Sequence, residues 1–76
     1  MNRQRRKRLG EAERLIIDAK EIVEEAAAEE REYFDNMPEG LQSGEKGQRA
    51  EEVADALDEL AEALDEATLK CSDAAE

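Results

Sequence analysis

Apolar residues recur at alternating intervals of three and four in both halves of the chain, and a short segment holding the single proline and three of the four glycines separates the two patterns. This alternation keeps side chains on one stripe of an α-helix, whose turn is 3.6 residues, and conflicts with the two-residue period of a strand. In the first half the stripe is Leu9, Ala12, Ile16, Ala19, Val23, Ala26, Glu30, Tyr33 and Met37, widened by Leu15, Ile22, Ala27 and Phe34. In the second it is Ala50, Val53, Leu57, Leu60, Leu64, Ala67 and Cys71, flanked by Ala54, Ala61 and Thr68 on one side and Ala56 and Ala63 on the other. The pattern predicts an all-α chain in which two long amphipathic helices, over about 4–35 and about 44–74, form one domain of 76 residues. Glu30 is the one charge on the first stripe, and the stripe is expected to shift to Ala27 and Phe34 around it.

Pro38 disfavours helical geometry at Met37, so the first helix should stop near Asp35 or Asn36 and a loop should follow over about 36–47. Ser43 or a neighbour is the expected cap of the second helix, with Glu45 facing the positive end of its dipole. A connection of this length lets the helices fold back antiparallel, with Met37 and Leu41 plugging the end of the hairpin. Charge favours the same choice. Residues 1–14 carry six basic and two acidic groups, a net of +4, whereas the remainder carries −15 of the total −11. An antiparallel hairpin sets the basic start beside Glu62, Asp65, Glu66 and Asp73.

The apolar content is thin for a free-standing fold. Only fifteen large apolar side chains beyond Met1 are available to bury against the cost of ordering 76 residues. The expectation is therefore self-association, with a core and oligomer seam of Leu9, Ile16, Val23 and Phe34 against Val53, Leu57, Leu60 and Leu64, closing a dimeric four-helix bundle.

Several chemistries lack their residues. There is no His and a single Cys, so neither an internal disulfide nor a zinc constellation can form, and the Glu-x-x-His motif of helical di-iron sites is missing. No Asp-rich loop has calcium-binding spacing, and no cofactor is expected. The combinations of His, Cys and carboxylate that tune a nucleophile or general base are likewise missing, so the reading is non-enzymatic. No apolar run follows the basic start or reaches the ~20 residues needed to span a bilayer, which predicts no membrane segment and a cytoplasmic setting. Cys71 falls on the second stripe and reads as a small packed hydrophobe.

Two surfaces remain as candidate binding sites. The row Asp55, Asp58, Glu62 and Asp65, extended by Glu51, presents carboxylates at helical spacing and suits a basic groove on another protein. The Arg-rich start, through Arg5, Arg6 and Arg8, could join Tyr33, Asn36, Lys46 and Arg49 of a neighbouring chain in an anion pocket for a nucleotide. General nucleic-acid binding is disfavoured because the rest of the chain repels a polyanion.

The segment Glu32-Tyr33-Phe34-Asp35-Asn36-Met37-Pro38-Glu39-Gly40-Leu41-Gln42-Ser43-Gly44-Glu45-Lys46-Gly47, with the Ala- and Glu-rich helix after it, resembles small acidic helical proteins encoded by phages and prophages. The resemblance covers roughly the second two-thirds of the chain and leaves out the Arg-rich start. It implies a bacterial cytoplasm and an accessory role such as blocking a host defence factor, in the manner of an anti-CRISPR protein. The expected function is thus inhibition of a host protein through the acidic row, with an oligomeric nucleotide sponge and a structural assembly module as alternatives.

Overall fold

The structure is a computed structural model that describes Arg3 to Ala75. Its elements are α1 (Arg3–Asp35), α2 (Glu39–Gln42) and α3 (Glu45–Ala75). The two long helices pack against each other as an antiparallel hairpin measuring 59 × 14 × 11 Å. No strand occurs among the described residues.

The turn between the helices is more ordered than a plain loop. α1 ends at Asp35, and the Asn36 and Met37 amides bond the Glu32 and Phe34 carbonyls at 3.0 Å each. Pro38 takes an extended conformation, φ −58° and ψ 149°, and its carbonyl accepts from Leu41 and Gln42 to start the single turn of α2. Proline suits this place because its fixed φ opens a helix and its missing amide hydrogen would have no partner there. Of the two expected positions at the start of the second long helix, Ser43 or a neighbour, it is the neighbour that serves and not Ser43. Ser43 ends α2, with its hydroxyl turned back to the Glu39 and Gly40 carbonyls, and Gly44 instead opens α3 by accepting from Gln48 at 3.0 Å. Met37 is half-buried at the hairpin end, whereas Leu41 stays exposed because the α2 turn points it outward. The Gln42 side-chain amide donates to the Phe34 carbonyl at 3.0 Å and ties α2 to the end of α1.

On α3 the covered positions run Gly47, Ala50, Ala54, Leu57, Ala61, Leu64, Thr68 and Cys71, an unbroken three-four alternation. On α1 they include Leu9, Ile16, Val23, Ala27, Glu30 and Phe34. The stripe therefore does shift to Ala27 and Phe34, although Glu30 remains half-buried beside them. Ala27, Ala50 and Ala54 are the only buried hydrophobic residues among those described, and no large side chain is fully covered. Small side chains let helix axes approach closely. Two expected seam residues lie beside the seam instead: Leu60 is 46% exposed and Tyr33 is 53% exposed. Between two helices only positions pointing straight at the partner are covered, and these two are turned roughly 80° to one side.

Gly47 marks the tightest approach. A Cβ there would meet the Gln42 backbone, with Gln42 Cα only 2.6 Å away, and backbone cannot yield as a side-chain tip would. Gly47→Ala should therefore destabilise the hairpin by about 1–3 kcal/mol, the usual range for overpacking, and Ala54→Leu should act similarly. Thermal unfolding followed by circular dichroism checks both. An unchanged midpoint for Gly47→Ala would mean that α2 does not press on α3.

Candidate binding surfaces

Helical geometry divides the surface of the hairpin into two faces. Rotating 100° per residue about α1, Lys20 lies about 40° to one side of the seam line through Ile16, and Arg31 lies about 100° to that same side of Glu30. On α3, Asp58 and Asp65 follow the seam residues Leu57 and Leu64 by one position. These side chains meet across the helices. Lys20 Nζ donates to Asp65 at 2.7 Å, and Arg31 pairs with Asp58 and, at 3.6 Å, with Asp55. Farther along, the Ser72 hydroxyl donates to the Glu13 carboxylate at 2.7 Å. All three contacts lie on one face, and between them runs a groove of about 470 Å³ floored by Ala27 and Ala61.

The structure thus brings the predicted acidic row together along one edge of α3 but shows it partly neutralised. Glu51, Asp55, Asp58, Glu62 and Asp65 share this face with the cations Lys20 and Arg31 and with the carboxylates Glu13 and Glu24, which leaves a net of −5 among these groups. Glu51 and Glu62 form no ion pair among the described residues. The sequence reading missed Lys20 and Arg31. The available signal was their position, four residues after Ile16 and one after Glu30, where a side chain reaches across the partner helix.

Asp65 was expected to screen the Arg-rich start, and the observed pairings show otherwise. Lys20 pairs with Asp65, Arg31 with Asp55 and Glu13 with Ser72, a register in which residue 11 stands level with Ala75. Arg3 to Arg8 therefore reach past the end of the described part of α3. No acidic residue occupies the first turn of α1, so this end places positive side chains on the positive end of the dipole.

The predicted anion pocket draws its two halves from neighbouring chains, and within one chain they lie apart. At the loop end Tyr33, Lys46 and Arg49 do share one depression of about 330 Å³ with Glu30 and Glu45, and Asn36 is not part of its lining. Arg5 and Arg8 line a different depression at the opposite end, with Gln4 and Leu9. From Arg5 to Tyr33 along α1 is roughly 42 Å at 1.5 Å per residue, so a single chain cannot bring the two groups together.

The Lys20 ammonium is held above its ordinary value of 10.5 by its hydrogen bond to Asp65, against partial desolvation and with further attraction from Asp65 and Glu24. Arg31 is shifted upward in the same way, chiefly by Asp58. A cation whose folded pKa is raised contributes stability that is complete below the unfolded value and is lost as pH rises through the folded value. The Lys20–Asp65 link should consequently persist to pH 10.5 and weaken above it. Asp65→Asn should bring the Lys20 pKa down toward 10.5, as read from the side-chain nitrogen shift in an NMR titration. An identical value in both proteins would place Lys20 away from Asp65.

No family model matches the chain, and comparison with curated proteins and with solved structures likewise yields no match.

Proposed function

We propose that the chain is a non-enzymatic binding protein that engages a basic surface of another protein through the charged face of the hairpin, with Glu51, Asp55, Asp58, Glu62 and Asp65 as its contact row. The observation that carries this reading is the surplus of carboxylates on one helical edge: over 15 residues of α3, roughly 21 Å, five carboxylates face outward, and Lys20 and Arg31 of α1 pair with only three of them. Carboxylates at this spacing offer a basic groove the kind of negative line that a phosphate backbone presents, and the overall charge of −11 speeds encounter with such a partner. The finer reading is a phage-type accessory protein in a bacterial cytoplasm that occupies the nucleic-acid groove of a host defence factor.

The ion pairs dictate how this is tested. Reversing Asp58 or Asp65 would break the links to Arg31 and Lys20 and disturb the hairpin itself, so the informative variant is Glu51→Lys with Glu62→Lys. With the protein immobilised and incubated in bacterial lysate, the wild type should retain a basic protein at low salt and release it at high salt. The double variant should lose it while keeping its helical circular dichroism. Retention by the double variant, or binding indifferent to salt, would overturn the reading.

A further inference from the structure

The face opposite the ion pairs is apolar and open to solvent. Leu15 and Ile22 precede the seam residues Ile16 and Val23 by one position, which turns them about 100° away from the side that holds Lys20. They are 68% and 66% exposed. On α3 the same face carries Leu60 with the exposed Ala56 and Ala63. The accessible surface of the chain is 5976 Å², whereas a compact monomer of 8.5 kDa exposes roughly 4700 Å². The excess of about 1300 Å² is the scale on which stable interfaces are built.

We propose that this face is covered by a second copy of the chain, related by a two-fold axis perpendicular to the long axis of the hairpin, so that α1 runs antiparallel along α1 of the other copy. Two observations select both the occupant and the axis. First, the line of α1 that points straight out of this face is Arg8, Leu15, Ile22 and Glu29, each seven residues from the next. It reads cation, apolar, apolar, anion and is its own complement when reversed. An antiparallel two-fold centred between residues 18 and 19 sets Leu15 against Ile22 and Arg8 against Glu29, twice over. The neighbouring line places Ala12 against Ala26 and Ala19 near itself, small residues where the two α1 helices must approach. Neither Arg8 nor Glu29 forms an ion pair among the described residues.

Second, the ends of the hairpin carry opposite charge. Residues 3–14 with 66–75 hold seven basic and four acidic groups, a net of +3, and residues 29–52 hold three basic and eight acidic, a net of −5. A perpendicular axis brings these unlike ends together, while an axis along the hairpin would stack like on like. The perpendicular arrangement also lays the overhanging Arg run beside Glu29 and Glu32 of the second copy, which supplies the carboxylates that the first turn of α1 lacks. Both charged faces then point outward, so the dimer leaves the proposed contact row accessible.

Sedimentation equilibrium on the full chain, with helicity followed in parallel, tests this independently of any other partner. The wild type should sediment at twice 8.5 kDa. Arg8→Glu or Glu29→Arg alone, each at an exposed position, should weaken the dimer about tenfold by creating two like-charge contacts, and the two together should restore it. A wild-type mass of 8.5 kDa at every concentration would overturn the proposal and leave the face to a different partner. A dimer indifferent to the single reversals, or a double variant no tighter than the singles, would equally overturn it, because the Arg8–Glu29 pairing is what defines the axis.

Discussion

Two helices of more than thirty residues can lie side by side at short range only where neither backbone is held off by side chains, and in this hairpin Gly47, Ala50 and Ala54 of α3 together with Ala27 of α1 provide that clearance. The close approach near the turn sets the register for the rest. It places Leu57 and Leu64 of α3 on the seam with Ile16 and Val23 of α1. It also brings Lys20 to Asp65 and Arg31 to Asp58 across the helices. Larger residues at the alanine positions would move the axes apart and strand both pairs. The exposed ion pairs follow from the packing and would not by themselves bring the helices together.

The cost of building a contact from alanine is that little apolar area is hidden. A two-layer hairpin covers one stripe per helix, and every larger side chain remains at least partly open to water. The carboxylate row of α3 and its cations share one face with the exposed Ile17 and Leu69, and Leu15, Ile22 and Leu60 lie on the other. The two faces therefore differ in chemistry, one holding the ion pairs and one holding Leu15, Ile22 and Leu60.

Much of this was readable from residue order. The 3.6-residue period located both long helices and Pro38 located the end of α1, whereas the basic start, read as lying beside Asp65, reaches past the described end of α3. Period alone could not separate positions that point at the partner helix from those roughly 80° to the side, which is why Leu60 and Tyr33 were assigned to the seam. The single turn of α2 was hidden because four residues are too few to show periodicity, and Ser43 serves equally well in either of two local hydrogen-bonding roles. The acidic row was legible as a line on α3, yet its partners on α1 depend on interhelix register. That register is fixed by the shape of the turn and carries no local signature. Composition likewise shows that Arg5 and Arg49 coexist, and only the length of α1 shows how far apart one chain holds them.

The central claim is the antiparallel packing of α1 on α3 in the register that sets Glu13 beside Ser72. Pulsed electron-spin distance measurement tests it directly, with nitroxide labels at Glu13→Cys and Ser72→Cys in a Cys71→Ala background, diluted with unlabelled protein to suppress distances between chains. Helices in contact lie about 8–10 Å apart, so the account predicts one narrow short-distance peak, broadened only by the label arms. A broad distribution extending toward the length of a helix would contradict it.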